Sequence, residues 1–171
     1  MDAGVSITGV LFGTDAKLYR FAHRNPALKL CPVNYTHGAD VLSRLQRFVS
    51  LNSALEVDLS GQVNAESVGG DYIGAVGGQV DFVRAAGRSP GGASIIALPS
   101  TAGGGALPRI VARLSGPVTT ARSDVDIVAT EHGAVRLRGL PFRERVRAMI
   151  GIAAPQHREA PSREAHSLFG V

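Results

Sequence analysis

Short apolar runs of strand type alternate with amphipathic stretches along this 171-residue chain, and that alternation limits its fold more than any other feature. Strands are predicted over 5–12, 28–33, 51–59, 94–98, 110–114 and 125–130. Helices are predicted over 15–24, 40–46, 79–86 and 142–153. Strands that alternate with helices indicate an α/β fold, in which a parallel or mixed sheet is sandwiched between helices.

The most regular strand signal covers residues 51–59. Apolar and polar residues alternate there, so that Asn52, Glu56 and Asp58 share one face. The pattern predicts a single strand with one polar, water-facing side, ended by Gly61.

The length corresponds to one domain, predicted as residues 1–160, with a polar tail over 161–171. Thr14 is the predicted N-cap of the first helix, because its hydroxyl can accept from a free backbone N–H. Beyond Pro155 the sequence is polar and contains Pro161, which predicts a partly ordered end.

The net charge of +4 comes almost entirely from arginine, since Lys17 and Lys29 are the only lysines. Such a charge suits a small anionic ligand. The sequence has no lysine run and no aromatic series for stacking on bases, so nucleic acid is not an expected partner.

Cys31 is the only cysteine, which excludes an intrachain disulfide and a multi-cysteine metal site. The five histidines lack metal-ligand spacing, so no metal is expected. Residues 1–4 lack the basic start of a secretory signal, and no apolar run reaches the roughly 18 residues of a membrane span. These features predict a soluble cytoplasmic protein with no membrane partner.

Common phosphate-binding motifs are absent from the sequence. Neither lysine follows a glycine, and the GxG at Gly103 and Gly105 has Pro108 where a third glycine belongs. Residues 87–91 match the GxSxG of a nucleophile elbow, but the residue after Ser89 is a proline, which has no N–H for an oxyanion. Ser89 is therefore interpreted as a turn residue.

Three places in the sequence suit a functional site, and each has a plainer explanation. Gly77 and Gly78, followed by Gln79, stand at a predicted helix start, where free N–H groups and the helix dipole attract an anion. A simple tight turn would also use these glycines. Glu131 ends a strand and is either catalytic or merely solvated, and Asn52 lies on the predicted wet face of its strand.

Several segments in fixed order resemble the acetyl-CoA hydrolase/transferase family, which includes acetate and 4-hydroxybutyrate CoA-transferases. They are LFGTDAKLYRFAHRNP (11–26), LNSALEVDLSGQVNAES (51–67), VGGQVDFVRAA (76–86), SIIALPSTAGG (94–104), VTTARSDVDIVATEHG (118–133) and LRGLPFRERVRAMIGIA (137–153). The resemblance extends to about residue 160 and is to the carboxy-terminal domain of the family.

The resemblance implies a CoA-transferase-like α/β domain and a glutamate that attacks an acyl-CoA thioester to form a glutamyl-CoA thioester. A carboxylate acceptor then gives transfer, and water gives hydrolysis. Coenzyme A enters as a thioester substrate, so no permanently bound cofactor is implied. Gly77 and Gly78 would supply oxyanion amides beside Gln79 at the CoA site, while Asn52 and Glu131 would line the acyl site.

The family's nucleophilic glutamate lies in a His-Ser/Thr-Glu motif upstream of the matching region, and this sequence contains no such motif. The resemblance therefore implies acyl-CoA and small carboxylates as ligands, an amino-terminal CoA-transferase domain or a second copy as partner, and an inactive lone chain. The alternatives are a non-catalytic acyl-CoA-binding or scaffold module and, third, a nucleotide-binding α/β domain.

Overall fold

The computed structural model describes residues 4–170. Met1 to Ala3 and Val171 lie outside the described residues. The start of the predicted domain, at residue 1, and the end of the predicted tail, at residue 171, therefore also lie outside them. The strands are β1 (Ser6–Thr8), β2 (Leu28–Leu30), β3 (Val49–Asn52), β4 (Glu56–Asp58), β5 (Val63–Asn64), β6 (Ser67–Val68), β7 (Asp71–Tyr72), β8 (Ala93–Ala97), β9 (Thr101–Ala102), β10 (Leu107–Pro108), β11 (Ile110–Val111), β12 (Ile127–Thr130) and β13 (Gly133–Arg136). The helices are α1 (Ala16–Ala22), α2 (Val33–Thr36), α3 (Ala39–Leu42), α4 (Gln79–Arg88), α5 (Phe142–Gly151) and α6 (Glu159–Phe169), with short 3₁₀ turns at Gly103–Gly105 and Pro155–His157.

A four-stranded sheet in the order β13-β12-β8-β3 forms the centre of the fold. β3, β8 and β12 are parallel, and β13 returns antiparallel to β12. A three-stranded sheet in the order β11-β4-β5 and three two-stranded pairs complete the strands. The structure thus confirms the predicted α/β fold with a mixed sheet.

The core lies on one face of the four-stranded sheet. Ile96 of β8 pairs in register with Val128 of β12, and both are fully buried. Residues of the three-stranded sheet, α4 and α5 pack against them: Val57, Val63, Ile110, Val83, Val146 and Met149. One layer of sheet and helix therefore covers this face.

Arg145 of α5 joins three distant stretches of backbone. Its guanidinium donates to the carbonyl oxygens of Ser60 at 3.0 Å, Arg122 at 3.0 Å and Leu137 at 3.1 Å. These carbonyls lie in the turn after β4, in the loop before β12 and directly after β13. The forked shape of a guanidinium makes such a triple contact possible.

The predicted single strand over 51–59 is wrong, because the segment divides between two sheets. β3 ends at Asn52 and belongs to the four-stranded sheet, whereas β4 begins at Glu56 and belongs to the three-stranded one. The polar residues do not form a wet face. Asp58 is buried and accepts from the backbone N–H and side chain of both Ser60 and Gln62, so hydrogen bonds replace water around its carboxylate.

The amino-terminal predictions need two corrections. The buried strand expected over 5–12 is shortened to β1, which has no fully buried residue, and Val10 and Phe12 beyond it are exposed. The N-cap of α1 is Asp15 rather than Thr14, since Asp15 Oδ1 accepts from the N–H of Lys17 at 2.8 Å. A carboxylate there also interacts favourably with the helix dipole.

The carboxy-terminal tail expected to be partly ordered contains the helix α6. Pro161 stands in its first turn, where a backbone N–H has no helical partner to lose. Ala165 is buried, and the ring of Phe169 packs edge-on against Phe142 of α5 with 5.1 Å between centroids. Packing on α5 therefore holds the segment, and Gly170, with φ of 65°, ends it.

Candidate active site

The carboxyl ends of three parallel strands form one edge of the central sheet, which is where open α/β sheets bind ligands. Asn52 is the last residue of β3, and Glu131 follows the last residue of β12. α4 precedes β8 through a tight turn and packs against it, so it runs antiparallel to the strand. The topology therefore brings the amino end of α4, with Gly77 and Gly78, to this same edge.

Gly77 and Gly78 both have a structural reason to be glycine. Gly77 has φ of +57°, a conformation that disfavours side chains. Gly78 is the N-cap of α4. A Cβ at Gly78 would lie 2.1 Å from Cδ2 and 2.2 Å from Nε2 of His37, so a side chain there would require the His37 ring or the turn to move. The expected helix start is confirmed here.

His37 is a neighbour of this turn that the sequence did not reveal. Its ring packs edge-on against Phe82 of α4 with 4.8 Å between centroids, and its Nδ1 lies 2.9 Å from the Thr36 hydroxyl. The imidazole thereby covers Gly78 and borders an apolar cavity of about 350 Å³. No local pattern could have indicated this long-range contact.

Gln79 is the first residue of α4, and its side chain makes a hydrogen bond inside the protein. Its Nε2 donates to the hydroxyl of buried Thr120 at 3.1 Å. This bond ties the helix start to the strand-like stretch that pairs with Val63. The backbone N–H groups of the first turn, rather than the Gln79 amide, are therefore the groups suited to an external anion.

One of the two side-chain N–H groups of Asn52 is available to a ligand. Its Nδ2 donates to the hydroxyl of Ser50 at 2.8 Å, and an amide nitrogen carries two protons. The half-buried side chain borders a cavity of about 290 Å³ that also contacts Phe48 and Phe82.

Glu131 follows β12, on the side of β8 away from β3, and hydrogen bonds hold its carboxylate in place. Ser100 donates its backbone N–H to Oε2 at 2.9 Å and its hydroxyl to Oε1 at 2.6 Å. The Ser100 hydroxyl, then the Ser100 backbone N–H and the backbone N–H of Glu131 itself, lower the pKa of Glu131 from 4.5 to about 2, with a smaller contribution from His132. The carboxylate is ionised at neutral pH and both of its oxygens are engaged.

Replacing Ser100 by alanine is expected to raise the pKa of Glu131 from about 2 toward 4.5, because the stronger of its two hydrogen bonds is lost. The native hydrogen bond stabilises the ionised carboxylate of Glu131. It therefore contributes to the free energy of unfolding above pH 4.5, and this contribution disappears as the pH falls toward 2. NMR titration of the side-chain carbonyl carbon measures the shift. Ser115→Ala, which removes a hydroxyl bound to Glu56, is the control and should leave Glu131 unchanged.

The predicted site residues share a sheet edge but border different cavities. Asn52 and the turn of Gly78, through His37, adjoin neighbouring cavities that share Phe82. Glu131 borders a separate, wide cavity of about 540 Å³ with Leu98 and Thr130. That all four face one cleft stays a prediction.

Residues 4–170 lack two kinds of feature. No cluster of three or more histidine, cysteine, aspartate or glutamate side chains there is arranged to hold a metal ion. Within the same residues, no helix has the length and apolar character to cross a membrane.

Comparison with known families decides the relationship. Residues 13–165 match the model of the acetyl-CoA hydrolase/transferase C-terminal domain. The chain belongs to this family. It is 45% identical over 168 residues to the 4-hydroxybutyrate coenzyme A transferase of Clostridium kluyveri. The aligned region covers 97% of the chain and 39% of that enzyme. The resemblance seen in the sequence segments is thereby confirmed.

Other family members give the same relationship. The succinyl-CoA:cyclohexane-1-carboxylate CoA transferase of Geobacter metallireducens is 40% identical over 91% of the chain and 36% of that enzyme. The crystal structure of RipA from Yersinia pestis superposes with a TM-score of 0.87 at 37% identity, over 98% of the chain and 37% of RipA. The 4-hydroxybutyrate CoA-transferase of Porphyromonas gingivalis superposes with a TM-score of 0.79 at 42% identity, over 96% of the chain and 38% of that structure. The chain thus spans about two fifths of these relatives.

Proposed function

We propose that this chain is the carboxy-terminal half of an acyl-CoA transferase or hydrolase, which moves coenzyme A between an acyl-CoA thioester and an acetate-type carboxylate. The observation that carries the proposal is the glycine-capped amino terminus of α4, at the same sheet edge as Asn52 and Glu131, in a member of this family. Coenzyme A acts here as a substrate rather than as a resident cofactor.

The amino end of α4 supplies the oxyanion donors in this proposal. Attack on a thioester places negative charge on the carbonyl oxygen, and backbone N–H groups at a helix start stabilise such charge. Gly77 and Gly78 allow the acyl group to approach the backbone closely because they have no side chains. The remaining N–H of Asn52 donates to an oxygen of the acyl group or of the acceptor.

Glu131 has a positioning role rather than a nucleophilic one. A carboxylate with a pKa of about 2, both of whose oxygens accept from Ser100, is a weak nucleophile. As a fixed anion it suits an arginine or the reacting groups of a partner domain.

The nucleophile is a glutamate supplied by the amino-terminal part of the family, on the same or a separate chain. Its carboxylate attacks the thioester carbon, and the CoA thiolate leaves to give a mixed anhydride. The thiolate then attacks the glutamyl carbonyl, which releases the acyl carboxylate and forms the glutamyl-CoA thioester. An acceptor carboxylate reverses these steps to give a new acyl-CoA, whereas water regenerates the glutamate and frees CoA.

The lone chain is expected not to turn over acetyl-CoA with succinate, acetate or water as acceptor, because it carries no His-Ser/Thr-Glu motif. A thiol-release assay measures turnover, and borohydride reduction with mass mapping detects a glutamyl thioester. A modified Glu131 in the lone chain would contradict the proposal. CoA binding that never leads to turnover, even with the amino-terminal part present, would instead indicate the non-catalytic binding module.

A further inference from the structure

Three arginines meet at the carboxy-terminal end of α4. Arg84 and Arg88 belong to the helix, and Arg138 follows β13. They border a cavity of about 200 Å³, called the arginine cavity below, whose other lining residues are Gly87 and Asp124. α4 has 10 residues, so this end lies about 15 Å from the amino end of the helix, where the candidate active site is.

The arginine cavity carries a surplus of positive charge. Arg84 Nε donates to Asp124 Oδ2 at 3.0 Å, which neutralises one of the three guanidinium groups. The Arg88 side chain has no hydrogen-bond or ion-pair partner within residues 4–170. Guanidinium groups that share a small volume repel one another, and an anion bound between them would relieve that repulsion.

Gly87 gives the arginine cavity its shape. It lies in the last turn of α4, and it is not one of the glycines with a positive φ. A Cβ at this position would lie 2.8 Å from Nη2 and 3.3 Å from Nη1 of Arg138. The absence of a side chain therefore leaves room for the Arg138 guanidinium, whose Nη1 donates to the Gly87 carbonyl oxygen at 3.5 Å.

The dipole of α4 does not neutralise this charge. The carboxy-terminal end of a helix is equivalent to roughly half a negative charge, which stabilises arginines in and near the last turn. Asp124 adds one negative charge, and three arginines line the cavity. More than one positive charge therefore remains without a counterpart.

We propose that the arginine cavity binds a phosphate group. A phosphate monoester carries about −1.5 to −2 charges near neutral pH, which matches the surplus, and its oxygens accept from several guanidinium groups at once. A carboxylate carries a single charge, and one guanidinium satisfies both of its oxygens. The phosphate is either free or part of a nucleotide, such as the phosphate on the ribose of coenzyme A. The second source rests on the proposed function.

NMR titration of the chain with inorganic phosphate tests the site. The Nε–H signals of Arg84, Arg88 and Arg138 should shift together and saturate with one dissociation constant. Arg138→Gln should weaken binding by about tenfold or more, the effect of losing a hydrogen bond to a charged group. Arg113→Gln removes the same charge from an exposed arginine outside the cavity and should bind phosphate like the unaltered chain.

Gly87→Ala tests the geometry of the cavity without changing its charge. The new Cβ displaces the end of a flexible side chain rather than backbone, and alanine favours a helix more than glycine does. The variant should therefore resist urea at least as well as the unaltered chain. Phosphate binding should still weaken by a factor similar to that in Arg138→Gln, because the guanidinium leaves its place.

Two results would overturn the proposal. One is equal phosphate affinity in Gly87→Ala, Arg138→Gln and the unaltered chain, since attraction to the general positive charge would then explain the binding. The other is the absence of saturable binding at millimolar phosphate.

Coenzyme A and dephospho-coenzyme A, which lacks the ribose phosphate, distinguish the two sources. Tighter binding of coenzyme A, with a difference that disappears in Arg138→Gln, would make its nucleotide the occupant. Equal binding of the two compounds, with inorganic phosphate still saturating the cavity, would make a free phosphate the occupant. The phosphate titration requires no acyl transfer, so its result is independent of whether the proposed enzyme activity is found.

Discussion

Gly78→Val is expected to slow acyl transfer by about 10²–10³-fold in the enzyme reconstituted with its amino-terminal part, the usual cost of losing an oxyanion donor. The first atom of the new side chain would fall 2.1 Å from the ring of His37, so the ring or the turn must move, and the loss of rate is expected from displacement of the turn's N–H groups. The loss should appear mainly in kcat, since the oxyanion exists only during the reaction.

Two further variants test whether the slower acyl transfer comes from displacement of the turn at Gly78 or from a general defect in folding. Gly151→Val introduces the same side chain at the end of α5, where a Cβ meets no atom within 4 Å, and should retain the full rate. Gly78→Val combined with His37→Ala removes the collision and should recover most of the lost rate. An unchanged rate in Gly78→Val alone would leave Gly77 and Gly78 as a structural turn only.

Leu59→Ala is expected to lower the free energy of unfolding by about 2–5 kcal/mol, the range for truncating a buried leucine. Leu59 is fully buried in the core, and its N–H donates to the Val111 carbonyl at 3.0 Å. Urea denaturation followed by circular dichroism measures the change. The backbone bond is kept in the variant, so the loss reports the cavity left by the side chain.

Leu51→Ala is the matched control, because the sequence pattern places Leu51 and Leu59 on the same side of one strand. Leu51 is 69% exposed in the structure, and its truncation in the lone chain should change stability by only about 0.5 kcal/mol or less. Similar losses in the two variants would contradict the division of the segment between two sheets.

That segment also illustrates what local patterns can and cannot predict. The bounds of α4, β8 and α5 are predicted to within two residues, because amphipathic spacing marks the two helices and an apolar run that stops at Pro99 marks the strand. The break after Asn52 has no such signal. The burial of Asp58 also escapes the pattern, because Ser60 and Gln62 supply internal donors and an alternating pattern cannot distinguish an internal donor from water.

For the candidate site too, the sequence predicts the ends of elements but not the contacts between distant residues. The glycine pair before α4 and Glu131 after β12 can be seen in the sequence, because each adjoins the end of a predicted element, whereas the strand end at Asn52 cannot. The groups that constrain them, His37 over Gly78 and Ser100 on Glu131, come from distant parts of the chain. Tertiary contacts of this kind leave no periodic trace.

The triple hydrogen bond of Arg145 has a consequence for how the molecule opens. Its guanidinium holds the turn after β4, the loop before β12 and the end of β13 at once, so none of these can detach without releasing the others. They form one cooperative unit for local unfolding, with α5 as its support. A lysine could not replace this arginine, because a single ammonium lacks the planar fork that reaches three carbonyls. The three segments around α5 thus open together rather than one by one, and the ion pair between Arg84 of α4 and Asp124, at 3.0 Å, links α4 to the same unit.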